Sequence, residues 1–289
     1  MDKLIHGTAA DGTIRVMAAI TTEIVREAVR RHQTSPMASD ALGRVLTGTL
    51  LFGSSLKDFD RLTIRIECDG AIEGIVAETT ANGKVRGYVR NPLADAESVK
   101  SIVGGGVLHV IREAGFDVGL YREPYHGSVP LYSGGIAEDL AYYLMKSEQI
   151  PSAVLLSVHL QSTEPFIKAA GGVMLQIMPG ANEHLITMIE DTITHAPSLT
   201  AVINEGASPE DLVKIALGVI DYEILEERDI AFKCTCSMER AHSMIASLGR
   251  TEVESMLLED HGAAMTCGFC NEVYRLDEKQ LQGIIDSME

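Results

Sequence analysis

The sequence has no tryptophan, and aromatic residues make up only 5% of it, which argues against a large aromatic recognition surface. Basic residues are also scarce. Against 41 Asp and Glu there are 24 Lys and Arg, a formal net charge of −17. Phosphate binding needs a basic face, so nucleic acid is not an expected partner, and anionic membrane surfaces are disfavoured. No uninterrupted apolar stretch is long enough to span a bilayer. Asp2, Lys3, His6 and Asp11 break up the start, so no apolar signal core is expected there. Enzyme signatures are missing too. There is no Ser–His–Asp order, no HExxH and no pair of carboxylates at a glycine-rich turn. Gly104-Gly-Gly106 lacks the Gly-Lys-Ser/Thr ending of a phosphate loop and reads as a turn. The expectation is a protein that is not an enzyme.

What is present is globular composition, 46% hydrophobic and 22% charged over 289 residues, a length that suggests two domains. Cysteine is sparse but patterned. Four of the five cysteines form two close pairs, Cys234-Thr-Cys236 and Cys267-Gly-Phe-Cys270. Zinc takes four thiolates in a tetrahedron at about 2.3 Å each, and two pairs far apart in sequence clip two chain segments to one ion. The CxxC half has ordinary knuckle spacing, with Gly268 expected to give the sharp turn. The CxC half is unusual: one intervening residue holds the two sulfurs close under some strain. Adjacent thiolates that leave a metal can oxidise to each other. An iron–sulfur centre is the competing use of four cysteines, and a permanent structural clip without redox chemistry is the simplest. His242 and His261 are alternative ligands, although four cysteines already fill a tetrahedron. Such cysteine usage suits a reducing compartment, so a soluble cytoplasmic protein is expected. Cys68, outside this pattern, reads as an inert, partly buried thiol.

Along the chain, Leu4–Thr8 and Thr13–Ile20 flank an Asp11-Gly12 hairpin turn. Thr22 is expected to cap a helix through Val29, and Ser35-Pro36 to start one carrying Leu42, Val45, Leu46 and Leu50 on one face. Gly43, Gly48 and Gly53 imply close packing of a neighbour there. Alternation from Leu62 to Cys68, then turns at Asp69-Gly70 and Asn82-Gly83, predict a meander. Strands follow over Val107–Glu113, Val118–Tyr121, Tyr125–Tyr132, Ala153–Leu160 and Phe166–Met178, with a helix through Ile136, Leu140 and Leu144. The sum is an α+β core domain on antiparallel sheet, residues 1–180, with packed helices. Residues 181–229 read as a helical linker with little strand signal, its helices marked by Leu185, Ile189, Val202, Leu212 and Ile215. From pattern alone it is an ordinary connector. Residues 230–289 form a small unit with a helix capped by Ser237, a capping box at Thr251 and Glu254, a hairpin around Cys267–Cys270, and a helix capped by Asp277. At under about 70 residues its core is small, and a structural metal would supply much of its folding free energy.

Several stretches together resemble the thirty-three-kilodalton heat-shock protein family, the redox-regulated holdase chaperones. They are Leu42-Gly-Arg-Val-Leu-Thr-Gly48, Arg86-Gly-Tyr-Val-Arg-Asn-Pro92, Ile136-Ala-Glu-Asp-Leu-Ala-Tyr-Tyr-Leu144, Ser147-Glu-Gln-Ile-Pro-Ser-Ala153, Ala169-Ala-Gly-Gly172 and the CxC…CxxC set. The resemblance covers essentially the full length. One departure is Gly135, where an acidic residue is expected. The resemblance implies a core domain, a conditional helical linker and a zinc-binding redox-switch domain. It implies one zinc ion per reduced chain, on Cys234, Cys236, Cys267 and Cys270. Oxidation would form Cys234–Cys236 and Cys267–Cys270 disulfides, release zinc and unfold the switch domain and linker. The opened protein would dimerise and hold unfolding client proteins without ATP. A zinc-ribbon module of a nucleic-acid or translation-associated factor is the alternative, opposed by the acidic charge.

Overall fold

The computed structural model describes residues 2–57, 60–113, 123–164 and 166–288, so the strand expected over Val118–Tyr121 lies outside the described residues. The chain divides into two compact units, Met1–Lys233 and Cys234–Glu289. The first unit therefore includes the stretch read as a linker, and its boundary falls at the first metal-spaced cysteine rather than at 230.

The first unit opens with the expected hairpin, β1 (Lys3–Ala9) and β2 (Ile14–Ile20). α1 (Thr22–His32) follows, but Thr22 does not cap it. Its first free N–H groups, on Glu23 and Ile24, donate to the Asp2 carboxylate at 3.1 and 2.7 Å. A cap supplied from twenty residues away leaves no local trace in sequence. α2 (Pro36–Phe52) starts as expected, with Ser35 Oγ accepting from the Ala38 N–H. The meander is β3 (Arg61–Cys68), β4 (Gly74–Thr80) and β5 (Lys84–Val89). A short helix that periodicity did not reveal, α3 (Val99–Val103), is held by a Ser98–Ser101 capping box. Then come β6 (Gly106–Glu113), β7 (Tyr125–Pro130), α4 (Ala137–Lys146), β8 (Ser152–Leu160) and β9 (Ile167–Ile177).

α2 is the centre of this unit. All but its first two residues and Arg44 are buried. It packs on β8 and β9 on one side and on β4 and β5 on the other. A helix covered all round must be small where neighbours come close. A Cβ on Gly43 would lie 2.8 Å from Val158, and one on Gly48 would lie 2.4 Å from Leu140. α4 is held by a different device. Asp139, fully buried, accepts from the backbone N–H groups of Tyr132, Ser133, Gly134 and Ile136, at 2.7 to 3.3 Å. Those bonds hold Ile136 at φ 68°, a costly conformation for a β-branched residue. At the departing position, a Cβ on Gly135 would meet the Glu138 carboxylate at 2.3 Å.

The stretch read as a linker gives the expected helices α5 (Glu183–His195), α6 (Leu199–Asn204) and α7 (Pro209–Leu217). It is not all helical, however: β10 (Tyr222–Asp229) pairs antiparallel with β1. Its run Glu223-Ile-Leu-Glu-Glu-Arg lacks clean alternation because most of it is exposed, and its place is fixed by backbone pairing at a sheet edge. β11 (Ala231–Phe232) then pairs parallel with β5. The two sheets run β10-β1-β2-β9-β8 and β11-β5-β4-β3-β6-β7. The α+β class on antiparallel sheet is as expected. α5, α6 and α7 cover the first sheet, burying Ile189, Ile203, Leu212, Val213 and Leu217 against Ile5, Val16, Ala18, Val173 and Leu175. Val213 takes the buried place expected of Ile215, which is half-buried. Gly171 on β9 makes room for α6, since a Cβ there would lie 3.0 Å from Ile203 Cδ1.

The second unit comprises α8 (Met238–Ala246), α9 (Arg250–Ser255), a π turn over Met256–Asp260, β12 (Gly262–Thr266), β13 (Val273–Asp277) and α10 (Glu278–Asp286). Ser237 and Asp277 cap as expected. The Thr251–Glu254 box does not form. α9 begins two residues earlier, with Gly249 at the cap, and Glu254 instead pairs with Arg250 at 2.8 Å. The apolar core is Ile245, Val253, Leu276, Leu281, Ile284 and Ile285.

Two outcomes follow from these contacts. Asp139→Ala should lower the stability of the first unit by about 3–5 kcal/mol in urea denaturation, because four buried N–H groups lose a charged acceptor. Asp211 closes the α7 capping box, and the Ser208 N–H and hydroxyl hold its carboxyl below the ordinary 3.8. A depressed acid stabilises fully above that ordinary value, and the gain is lost as pH falls through the depressed one. Asp211→Asn should therefore lower Tm by about 2 °C at neutral pH, with the difference closing in acid.

Candidate metal centre

The four patterned cysteines come together. Cys234 and Cys236 lie just after β11, in the turn before α8, and Cys267 and Cys270 sit in the turn between β12 and β13. The β12–β13 register runs from Gly262 opposite Asp277 to Thr266 opposite Val273. That hairpin places Cys267 where its N–H donates to the Glu272 carbonyl at 2.8 Å, while the Asn271 N–H donates to the Cys267 carbonyl at 2.8 Å. The left-handed residue of this turn is Asn271, at φ 60°, and not Gly268 as the spacing suggested. Asparagine tolerates that conformation, and a Cβ at Gly268 would meet nothing within 4 Å.

The four sulfurs all lie within 4.8 Å of one another. Cys234 Sγ is 3.7 Å from Cys267 Sγ, and Cys236 Sγ is 3.4 Å from Cys270 Sγ. A tetrahedral ion about 2.3 Å from each sulfur sets them about 3.8 Å apart. The donor set therefore fits zinc in number, type and spacing. Among the described residues the cluster of potential metal ligands consists of these four; His242 and His261 stand outside it. His261 Nδ1 instead faces Glu278 Oε1 at 2.9 Å.

The surroundings of the sulfurs are those of charged ligands. Tyr274 Oη donates to Cys236 Sγ at 3.0 Å, and Arg240 Nη1 donates to Thr235 Oγ1, inside the CxC bend, at 2.9 Å. Without an ion, burial pushes the Cys270 and Cys236 thiols up from their ordinary value. A bound divalent cation reverses that, because a coordinating thiol is deprotonated outright. Cys68 stands apart in the first unit, half-buried, its thiol also pushed up by burial.

A two-unit α+β protein whose small C-terminal unit gathers two cysteine pairs is the class that this fold and site define. The comparisons agree. The family model described as Hsp33 protein matches residues 2–277. A 33 kDa chaperonin of Desulforamulus reducens is 41% identical, covering 100% of this chain and 98% of its own. One of Listeria monocytogenes serotype 4b is 43% identical, covering 99% and 98%. The crystal structure of the 33 kDa chaperonin (heat shock protein 33 homolog) from Thermotoga maritima superimposes with a TM-score of 0.87, at 35% identity, over 99% of this chain and 98% of that one. The chain belongs to the Hsp33 family, which places it among the chaperones, as the resemblance read from its sequence implied.

The stretches that carried the resemblance have structural reasons. Gly43 and Gly48 admit neighbours to α2. Arg86 pairs with the largely buried Glu78 at 2.9 Å, Asp139 clasps the turn before α4, and Gly171 seats α6.

Metal removal gives the direct check. Chelation of the reduced protein should cost the second unit its helical circular dichroism and its β12–β13 amide protection, while protection in β3 and β4 persists.

Proposed function

We propose that this protein is an ATP-independent holdase switched on by oxidation, with one zinc ion held by Cys234, Cys236, Cys267 and Cys270 as the latch. The observation that carries the reading is the convergence of those four sulfurs within 4.8 Å in a unit whose apolar core is small, built on Ile245, Val253, Leu276, Leu281, Ile284 and Ile285. In the reduced state zinc keeps the sulfurs as thiolates and supplies most of the folding free energy of that unit. Oxidant converts Cys234 with Cys236, and Cys267 with Cys270, to disulfides. Each disulfide removes two charged ligands, so the ion is no longer held and the unit unfolds.

The docked helices supply the second half of the reading. α6 and α7 have 6 and 9 residues, too short to be stable undocked. Residues 181–229 act as the conditional linker between the core, 1–180, and the switch, 230–289. When they leave the first sheet, Leu175, Val173 and Ile5 on one side and Ile189, Leu212 and Val213 on the other are uncovered together. Exposed apolar surface of this kind takes up the apolar segments of unfolding proteins and a second copy of the chain. The net charge of −17 keeps the opened form and its cargo in solution. No helix among the described residues is long and apolar enough to cross a membrane, and the reading places the protein in the cytoplasm, where thiols are kept reduced. It has no catalytic role.

The test pairs chemistry with activity. Peroxide treatment of the zinc-loaded protein should release one zinc per chain, consume four thiols and suppress light scattering by a thermally aggregating client. Cys270→Ser should lose most of that protection. Undiminished protection by the oxidised variant would rule out a role for its disulfide.

A further inference from the structure

Cys236 has a phenolic hydrogen-bond donor, Tyr274, in addition to its neighbouring sulfurs. Tyr274 sits on β13 opposite Met265 on β12, so its backbone is fixed by the hairpin that carries Cys267 and Cys270. Its hydroxyl reaches across to the other pair and donates to Cys236 Sγ at 3.0 Å. The bond thus joins the CxC bend to the CxxC hairpin by a route that does not pass through the ion. Arg240, on α8, holds the middle of the same bend through Thr235.

We propose that Tyr274 is a positioning residue that sets how readily the four-cysteine centre is oxidised and how tightly it grips its metal, through its hydrogen bond to Cys236 Sγ. The inference rests on the zinc-holding reading above. A hydrogen bond donated to a thiolate draws charge from the sulfur and stabilises it as a ligand. Partners of this kind around metal ligands are worth about 10–100-fold in affinity. The same withdrawal slows attack on a hydroperoxide. In that attack the thiolate sulfur bonds to one peroxide oxygen, the O–O bond breaks, and the sulfur becomes a sulfenic acid while the other oxygen leaves as hydroxide. A neighbouring thiolate then attacks the sulfenyl sulfur, the S–O bond breaks and a second hydroxide leaves. Two thiolates have been oxidised by two electrons, one peroxide has been reduced, and two protons from solvent complete two waters. Tyr274 raises the barrier to the first step at Cys236, so the pair resists oxidant at low levels and yields at high ones. The phenol bonds the thiolate but not the disulfide product with equal strength, which biases the centre toward its closed form.

The experiment uses the full chain, reduced and zinc-loaded, with the hydroxyl removed in one variant and strengthened in another. Tyr274→Phe keeps the ring and loses the donor. 3-Fluorotyrosine placed at 274 keeps nearly the same shape with a more acidic, stronger donor. Zinc affinity is read by competition with a chromophoric chelator, zinc release by the same dye during a fixed peroxide pulse, and sulfur reactivity by mass spectrometry after timed alkylation. Tyr274→Phe should bind zinc about tenfold more weakly and release it about tenfold faster, with alkylation at Cys236 accelerated most. The fluorotyrosine protein should shift in the opposite direction. If Tyr274→Phe matches the native chain in affinity and release, or if both variants shift the same way as a packing defect would, the proposal is overturned. Should Tyr274→Phe fail to fold, the fluorotyrosine arm decides alone. A native chain that binds zinc but ignores peroxide would defeat the switch reading, and the affinity comparison would still test Tyr274.

Discussion

Four sulfur atoms within 4.8 Å of one another are a conditional arrangement. As thiolates they repel, as thiols they are only weak hydrogen-bonding groups, and a divalent cation would turn the same geometry into the strongest contact in the unit. The hydrophobic contribution around them is modest, since the core comprises Ile245, Val253, Leu276, Leu281, Ile284 and Ile285. Several large apolar side chains of that unit, among them Met244, Leu248 and Leu258, are more than half exposed. A fold of this size with so little buried apolar area stands close to the threshold of stability. On the reading proposed above, whatever removes the charge from the sulfurs acts on the folding equilibrium and not on a local geometry alone.

The first unit is built on the opposite principle. α2 is enclosed by two sheets, its close contacts set by glycines rather than by flexible side chains, and Asp139 ties the turn before α4 through four backbone donors. Between these extremes lie α5, α6 and α7. Asn182 starts α5, and Ser208 with Asp211 starts α7, which Gly218 stops, whereas α6 has no side-chain cap; all three depend on the face of the first sheet for their apolar side. Helices this short hold their shape through that docking. One chain thus carries a sheet-and-helix body, a cover of short helices docked on one of its sheets, and a small unit whose four cysteines fit a metal.

The sequence showed most where a signal is local. Ser35-Pro36, Ser208-Pro209, Asp277 with Gln280, and the glycine-containing hairpin turns each announced an element that is present. It failed where the partner is distant or the interaction is purely backbone. The α1 cap comes from Asp2, the edge strand β10 has no alternation to read because one row of backbone bonds holds it, and α3 is too short for periodicity. At the centre, spacing revealed the four cysteines at once. It gave no hint of Tyr274, whose role depends on the β12–β13 register and on where the CxC bend comes to rest. It also misplaced the turn geometry onto Gly268, because asparagine is the other residue that accepts a left-handed backbone, and the turn uses Asn271 instead.

Cys68 gives the chain an odd number of sulfurs, and its setting has an analytical benefit. It closes β3 in the first unit, half-buried, with a thiol made less acidic by its surroundings. A sulfhydryl so placed is a poor trading partner in disulfide exchange, so crossed pairings that would trap the protein are disfavoured kinetically. In a thiol count on the denatured chain it stays a constant remainder of one, a built-in internal standard against which changes in the other four can be read.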